Sequence, residues 1–201
     1  SDLLPKEKGL HIVDMGSGKG YLTFALYDYL QTSLKLKVKL TGVEFRSDLV
    51  KLCNELAVKN QFDHLSFVEG SIQNYDVKAM DVLIALHACD TATDDAIFKG
   101  IQANAQLIVV APCCHKQIRR EMEQHKVSNE LDFVLRHGIY LEREAEMITD
   151  SLRALLLEYA GYKTKVFEFI SQEHTPKNSM IVAEKTTSMT EEKKVEIVGK
   201  I

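Results

Sequence analysis

The stretch IVDMGSGKGYLTFAL, residues 12–26, decides the fold, because a short apolar run, three closely spaced glycines and an amphipathic stretch follow one another there. A glycine-rich loop between a strand and a helix lets the backbone approach a ligand closely, since glycine has no Cβ that would clash. Loops of this kind serve nucleoside triphosphates, dinucleotides and S-adenosylmethionine. The residues around the glycines must therefore indicate which ligand suits this loop.

The spacing of the glycines argues against two of these ligand classes. A Walker-type phosphate loop needs G-x-x-x-x-G-K-[ST], whereas Lys19 lies between Gly18 and Gly20 and no serine or threonine follows it directly. The dinucleotide fingerprint is G-x-G-x-x-G. Gly16, Gly18 and Gly20 give G-x-G-x-G instead, so one residue is missing at the pyrophosphate turn.

Two carboxylates favour the third ligand. Asp14 lies two residues before Gly16, where it would repel a pyrophosphate but suits a cationic amino-acid group. S-adenosylmethionine carries both an ammonium and a sulfonium. Glu44 ends the next predicted strand and can accept hydrogen bonds from both hydroxyls of a ribose, as acidic residues do in dinucleotide folds. The alternative for Glu44 is a surface charge at a strand end.

Outward from this loop, short apolar runs alternate with amphipathic stretches, which is typical of βαβ units around a parallel sheet. We therefore predict one α/β domain over residues 1–201, with a short charged helix or tail at 190–201. The predicted strands cover residues 9–15, 37–45, 64–70, 80–88, 105–112, 165–170 and 179–185, and the predicted helices cover 19–31, 47–60, 90–104, 116–125 and 142–162.

Two details of the first helices follow from residue spacing. The second helix is expected to be capped by Ser47 or Asp48, whose side chains can accept from free backbone N–H groups. The first helix is expected to bury one face at helical spacing. The residues of that face are Leu22, Ala25, Leu26 and Tyr29.

Composition limits the class of protein. A hydrophobic fraction of 45% and a charged fraction of 27% are ordinary for a globular domain. The net charge of −4 argues against nucleic-acid binding by bulk charge alone, although a local basic patch is compatible with it. No apolar run reaches about 18 residues, so no membrane span is expected. Four cysteines without a disulfide-framework spacing indicate a reducing, cytoplasmic setting. Because the chain begins with Ser1, we expect a fragment of a longer protein with a further domain upstream.

These motifs resemble those of the class I S-adenosylmethionine-dependent methyltransferases over nearly the whole chain. VDMGSGKGYL resembles their first motif, VEF at 43–45 their acidic second motif, and EGSIQ at 69–73 their adenine-contacting segment. The resemblance implies a Rossmann-like seven-stranded, mostly parallel sheet in the order 3-2-1-4-5-7-6, with the last strand antiparallel and helices on both faces. It also implies that S-adenosylmethionine contacts Asp14, Gly16, Ser17, Gly18, Gly20, Tyr21, Leu22, Glu44, Phe45, Ser71, Ile72, Leu86 and His87.

The acceptor side is expected to lie where strands four and five end, at LHACD (86–90) and PCCHK (112–116). No [DN]-P-P-[YF] motif is present, so we do not predict methylation of the exocyclic amine of adenine by the mechanism that uses it. LHACD with PCCHK resembles a methyltransferase subgroup with little-defined substrates, and a similar Cys-Cys-His run occurs in a tRNA 2′-O-methyltransferase family. The resemblance implies an RNA acceptor, tRNA or rRNA.

Three interpretations of this cysteine and histidine cluster stay open. Asp90, His115 and His87 can position or deprotonate a methyl acceptor, since histidine transfers protons near neutral pH. Alternatively, the cluster binds zinc through Cys89, Cys113, Cys114 and His115, although the spacing is not that of a zinc finger. In the third interpretation the cysteines simply pack as small apolar groups.

Outside the cluster, EHTPKN at 173–178 lies between the last two predicted strands. Lys177 and Asn178, together with Cys114, are candidate substrate contacts, and a solvated hairpin loop is the alternative for the first two. A methyltransferase that acts on proteins or small molecules, and a non-catalytic scaffold that binds S-adenosylmethionine, remain alternative functions, because a fold does not fix a function.

Overall fold

The computed structural model describes residues 9–76, 79–86, 88, 90–124, 132–170, 177–186 and 190–200. Within them the strands form one seven-stranded sheet in the order β3-β2-β1-β4-β5-β7-β6, as predicted. β7 runs antiparallel to both of its neighbours, and the other pairings are parallel. The strands are β1 (Leu10–Met15), β2 (Val38–Glu44), β3 (Leu65–Glu69), β4 (Val82–Leu86), β5 (Leu107–Ala111), β6 (Tyr162–Glu168) and β7 (Ser179–Lys185).

Helices cover both faces of the sheet and enclose two apolar clusters. α1 and α2 pack on one face against Ile12 and Leu40, and α3 and α6 pack on the other against Leu83 and Ile108. This two-sided cover explains the continuous apolar sequence of β4. The helices are α1 (Tyr21–Asp28), a π-helical turn (Tyr29–Ser33), α2 (Ser47–Lys59), α3 (Thr91–Gln102), α4 (Lys116–Gln124), α5 (Asp132–Leu135), α6 (Gly138–Tyr159) and α7 (Glu191–Val198).

The order of the strands positions the candidate site. β1, β2 and β3 run outward in one direction, whereas β4 pairs with the other side of β1. The chain segments that follow β1 and β4 therefore leave the carboxyl edge of the sheet toward opposite faces. Such a reversal opens a crevice at that edge, and ligands of open α/β sheets bind there.

The predicted buried face of the first helix is wrong. α1 buries Thr23 and Tyr27 instead, while Leu22 and Tyr29 are exposed. Thr23 can enter the interior because its hydroxyl donates to the Asp14 carboxylate, 2.6 Å away. Tyr27 can do so because its hydroxyl oxygen accepts from the His64 main-chain N–H at 3.2 Å.

Several boundaries also differ from the prediction. α2 has Arg46 at its N-cap with no side-chain hydrogen bond there, so the predicted capping by Ser47 or Asp48 is wrong. α6 begins four residues earlier than expected, at Gly138, and the short α5 had no clear sequence signal. β6 begins directly after Gly161, whose φ of 92° turns the chain out of α6. The charged segment at 190–201 contains α7, which begins after Thr190.

Among the helices of the described ranges, none combines the length and the apolar character needed to cross a membrane.

Gly42 provides a test of how tightly the α2 side is packed. A Cβ at this position would lie 2.5 Å from the Phe67 ring, and that ring is buried against Phe24 with a centroid separation of 5.3 Å. We expect Gly42→Ala to lower the free energy of unfolding by about 1–3 kcal/mol, because the flat ring has to move. Urea denaturation of Gly42→Ala in the wild-type and Phe67→Leu backgrounds measures this. A cost that is equal in both backgrounds would show that the ring is not the cause.

Candidate active site

The glycine loop curls over the carboxyl end of β2. Gly16, Gly18 and Gly20 have φ values of 76°, 57° and 72°, which only glycine adopts without strain. The main-chain N–H groups of Gly16 and Ser17 both donate to the Val43 carbonyl, at 2.9 and 3.0 Å. A Cβ at Gly16 would meet nothing within 4 Å, so the outer side of the loop is open.

Asp14 lies beneath this loop and is only 5% exposed. Burial raises its pKa from 3.8 to about 6, against the opposing effect of the hydrogen bond from Thr23. An ionised carboxylate in this place lacks a cationic partner among the described residues, and ionisation therefore costs free energy. The Ser17 hydroxyl is also buried and has no hydrogen-bond partner in the described part of the chain. Neither Asp14 nor Ser17 lines the cavity beside the loop.

Glu44 connects the loop to the end of β2. Its Oε2 accepts from the Gly18 N–H at 2.9 Å, and its Oε1 accepts from the main chain and the Nε of Arg46, at 3.1 and 2.9 Å. Burial works to raise the pKa of Glu44, but these bonds and the Arg46 charge hold that pKa below its ordinary value. Glu44 is therefore a carboxylate at neutral pH; Oε1 already accepts two hydrogen bonds, whereas Oε2 accepts one and keeps a second lone pair for a ligand hydroxyl.

A cavity of about 270 Å³ lies beside the loop. It brings together four of the predicted cofactor residues: Gly16, Phe45, Ser71 and Ile72. The remaining lining comes from β2, from the segment after β3 and from the first turn of α3, namely Val43, Gly70, Gln73, Thr91, Ala92 and Asp95. Gln73 Nε2 donates to the Asp95 carboxylate at 2.8 Å and joins the two sides.

Other predicted cofactor residues lie at the margins of this cavity or outside the described residues. Tyr21 and Leu22 stand in the first turn of α1, where Tyr21 is 77% exposed. Leu86 is the last residue of β4 and is half-buried. His87 and Cys89 lie outside the described residues.

On the acceptor side, a buried ionic network joins three helices. His115 follows β5, and its Nε2 lies 3.1 Å from Asp150 Oδ1. Arg153 Nη1 donates to the same oxygen at 3.0 Å, and its Nε and Nη2 donate to the two oxygens of Asp94 at 2.7 and 3.1 Å. His115, Asp150 and Arg153 are all buried. The network therefore fixes α3 and α6 to the segment that follows β5.

Asp90 belongs to the same network through its backbone. Its carbonyl accepts from Arg153 Nη2 at 3.0 Å, and its carboxylate accepts from the Gln117 N–H in the first turn of α4 at 3.2 Å. The φ of Asp90 is 55°, which is uncommon for a residue with a Cβ. Unusual backbone angles of this kind cluster at functional sites. Asp90 is half-buried.

The predicted role of His115 needs correction. A general base has to reach the proton that it removes, but the His115 side chain is 0% exposed. One ring nitrogen faces Asp150, and Nδ1 is buried without a partner in the described ranges. We therefore assign His115 a positioning role, in which it holds the PCCHK segment against α6.

The residues considered for zinc do not form a metal site within the described part of the chain. Within the described residues, no three His, Cys, Asp or Glu side chains form a group that could hold a metal ion. Cys113 Sγ lies 3.7 Å from Cys114 Sγ, which is too far for a disulfide. Both cysteines are half-buried.

The side chains of Lys177 and Asn178 contact other residues of the protein. Asn178 is buried; its Nδ2 donates to the Ile170 carbonyl at 2.7 Å and its own carbonyl accepts from Phe169 N–H at 3.0 Å, which closes the β6–β7 hairpin. Asn178 as a substrate contact stays a prediction, and in this structure its amide is engaged within the hairpin. Lys177 Nζ lies 3.2 Å from Glu142, which also pairs with Arg119.

Sequence reasoning missed the partners supplied by helices. Asp94, Asp150 and Arg153 were not expected at the site, although Asp150 and Arg153 lie three residues apart in a helix that is otherwise apolar on that side. Charges on a buried helix face are the signal that could have indicated them. Thr91 and Asp95 gave no such signal, because only the packing of α3 brings them to the cavity.

Comparison with known proteins identifies the fold and the family. A family model described as "Methyltransferase domain" matches residues 1–121, which is more than half of the chain. The chain belongs to this methyltransferase family. The strands β1 to β5, the glycine loop and the acidic end of β2 lie within the matched segment, whereas β6 and β7 lie beyond it.

The chain is also similar to individual curated proteins and solved structures. The chain is 26% identical over 202 residues to a Drosophila pseudoobscura protein named glutathione S-transferase C-terminal domain-containing protein homolog, covering 88% of this chain and 33% of that protein. The chain thus spans about a third of the length of such curated relatives. Among solved structures, the CMeT domain of the citrinin polyketide synthase superposes with a TM-score of 0.57 at 14% identity, covering 91% of this chain and 48% of that one. An rRNA methylase from Streptococcus thermophilus gives 0.55 at 11% identity, covering 92% and 91%.

The buried network predicts a large response to loss of its cation. We expect Arg153→Met to lower the free energy of unfolding by about 3–5 kcal/mol, because Asp150 would remain buried without its ion-pair partner. The double variant Asp150→Asn/Arg153→Met should recover part of this loss. Arg119→Met removes a partly exposed ion pair and should cost less than about 1 kcal/mol. Urea denaturation at pH 7 measures all three, and equal costs for Arg153→Met and Arg119→Met would contradict the network.

Asp14 predicts a pH dependence of stability. Because burial raises its folded-state pKa, its favourable contribution is complete below pH 4 and is lost as the pH rises through about 6. Asp14→Asn keeps the neutral state at every pH. We expect it to exceed the wild-type free energy of unfolding by on the order of 3 kcal/mol at pH 8, with the difference narrowing toward pH 4.

Urea denaturation between pH 4 and pH 8 measures this difference. Asp63→Asn, which removes an exposed carboxylate, is the matched control and should show no comparable trend. A difference between wild type and Asp14→Asn that stays constant with pH would mean that Asp14 is not buried as an acid.

Proposed function

We propose that this chain is an S-adenosylmethionine-dependent methyltransferase whose acceptor is RNA. The observation that carries the first part is the buried Asp14 carboxylate beneath an open glycine loop. A carboxylate with its pKa raised by burial is stabilised by a cationic ligand, and the amino-acid end of S-adenosylmethionine is such a ligand. A pyrophosphate would be repelled from the same position.

The residues present fit this cofactor. The space that a Cβ at Gly16 would enter is open, so the loop can pass closely along a ligand. Glu44 Oε2 offers a lone pair at the end of β2 for a ribose hydroxyl, and the cavity lined by Phe45 and Ile72 offers an apolar wall for the adenine. S-adenosylmethionine supplies a methyl group on a sulfonium that is already a strong electrophile.

The remaining task of the protein is to orient the acceptor. Asp90 is the candidate group at this position, because it is half-buried, stands between β4 and α3, and is fixed through its carbonyl by Arg153. The Asp150–Arg153 pair and His115 hold the surrounding segments in place. A fixed carboxylate at the crevice can accept a proton from the acceptor or hold its hydroxyl by a hydrogen bond.

The RNA acceptor is supported by two likenesses. The Cys-Cys-His run of PCCHK is similar to that of a tRNA 2′-O-methyltransferase family, and the Streptococcus thermophilus neighbour is named an rRNA methylase. A small-molecule acceptor is the second candidate, because another structural neighbour is a domain of a polyketide synthase. Because the chain spans about a third of its curated relatives, a further domain of the same protein is proposed to contribute to acceptor recognition.

Calorimetry with S-adenosylmethionine tests the cofactor. We expect binding to the wild type at pH 7.5, no binding to Asp14→Asn, and an affinity that falls by about tenfold per pH unit below pH 6, because the proton on Asp14 competes with the cationic ligand. Asp63→Asn should bind as the wild type does. No heat with millimolar ligand, or undiminished binding to Asp14→Asn, would refute the proposed site.

Transfer of a labelled methyl group tests the acceptor. The wild type is incubated with labelled cofactor and either total cellular RNA or a protein extract treated with ribonuclease, and Asp14→Asn serves as the inactive control. Label in the RNA alone supports the proposal. Label in the protein extract alone would replace RNA by a protein acceptor.

A further inference from the structure

A second cavity of the molecule lies at the opposite edge of the sheet from the glycine loop. It encloses about 650 Å³ at the amino ends of β1 and β2. Its lining contains three lysines and two histidines but no carboxylate, although the chain as a whole carries a net charge of −4. We name this surface the amino-edge basic pocket, and its charged members are His11, Lys35, Lys37, Lys39 and His64.

The lysines of this pocket are exposed. Lys35 and Lys37 precede β2, and Lys39 lies within it between the buried Val38 and Leu40, so the alternation of the strand directs Lys39 to the solvent. None of the three lysines forms an ion pair with a residue of the described ranges.

The backbone of Lys35, at the border of the pocket, has an unfavourable conformation. Lys35 follows the π-helical turn with a φ of 51°, a left-handed position where glycine or asparagine is usual. π-Helical turns are themselves frequent at functional sites, and Gln31 of this turn also lines the pocket. A cation near a helix C-terminus is favourable in general, but that effect reaches only Lys35 and leaves Lys37 and Lys39 unexplained.

Two histidines extend the row of lysines toward the neighbouring strands. His11 of β1 is directly opposite Lys39 of β2 in the sheet register, and His64 lies just before β3. The ring of His11 also contacts the protein itself, with Nδ1 2.7 Å from the Ala79 carbonyl oxygen and Nε2 3.5 Å from the Thr41 hydroxyl.

We propose that the amino-edge basic pocket binds the phosphodiester backbone of the RNA acceptor. Lys37 directly precedes β2 and Lys39 is the second residue of this strand, so their Cα atoms are at most about 7 Å apart, and Lys35 extends the row. A single phosphate cannot contact the whole row, so a chain of phosphates fits it better. The pocket lies about 20 Å from the carboxyl edge along β2, and an extended RNA reaches both edges. This inference rests on the RNA acceptor proposed above.

Fluorescence anisotropy of a labelled single-stranded RNA, measured without cofactor as a function of salt, tests the pocket. The variant Lys35→Gln/Lys37→Gln/Lys39→Gln changes the net charge from −4 to −7, and so does the control Lys51→Gln/Lys59→Gln/Lys193→Gln, which alters exposed lysines outside the pocket. We expect the pocket variant to lower the slope of log Kobs against log salt by about 2, from about 0.7 per phosphate contact. The factor by which its RNA affinity lies below that of the wild type should therefore shrink by roughly twentyfold between 50 and 200 mM salt. The control should change neither quantity comparably.

Lys35→Gly gives a second readout that a purely structural role would not produce. Glycine tolerates the φ of this position, so the thermal midpoint should not fall, while RNA affinity should weaken and the salt slope decrease by about 0.7. Equal RNA binding by the pocket and control variants would overturn the inference. If poly-glutamate displaces the labelled RNA from the pocket as effectively as unlabelled RNA does, the inference is also overturned, in favour of an acidic protein partner.

The failure of this inference can be distinguished from failure of the proposed function. Calorimetry with S-adenosylmethionine is run on the same pocket variant, which should bind the cofactor as the wild type does. One outcome is that the wild type binds the cofactor and methylates RNA while the pocket variant binds RNA as tightly as the wild type does. That result refutes the pocket alone. A chain that binds RNA through the pocket but never binds the cofactor refutes the methyltransferase alone.

Discussion

The geometry of the candidate site depends on one constraint, the carboxylate of Asp14 held in the interior at the end of β1. Its hydrogen bond from Thr23 fixes the first turn of α1 directly above the strand end. The chain between the two residues has to arch over the carboxylate, and only glycines can supply the left-handed angles of that arch. The bond from Gly18 to Glu44 then fixes the arch to β2. The open loop, the acidic strand end and the neighbouring cavity all follow from this arrangement.

The opposite wall of the crevice is held by a different kind of interaction. Arg153 enters the interior from α6 and donates to Asp150, Asp94 and the carbonyl of Asp90, so a single cation ties together segments that the sequence places far apart. Such a buried network is costly to desolvate, but it permits only one arrangement of its partners. The cofactor side of the crevice is thus shaped by backbone conformation, and the acceptor side by long-range ionic contacts.

Distribution of charge matters more in this protein than its sum. A net charge of −4 argues against binding of nucleic acid by bulk charge. The fold nevertheless gathers Lys35, Lys37 and Lys39 with two histidines at the amino edge of the sheet, where no carboxylate lines the cavity. Carboxylates such as Glu142 are engaged elsewhere, by cations of α4 and of the segment before β7. The net charge of the chain would repel an anion, whereas the basic residues at the amino edge would attract one.

The sequence by itself determined the seven strands, their order through the family resemblance, and the glycine loop with Asp14 and Glu44. These features are local: periodicity, glycine spacing and a carboxylate at a strand end can all be read from a few neighbouring residues. Only the tertiary structure decided which face of α1 is buried, because Thr23 and Tyr27 find their partners at Asp14 and at the distant His64. It also shows that His115 is buried and contacts Asp150. Hydrogen bonds between residues distant in the chain satisfy these polar groups, and no local pattern reveals such partners.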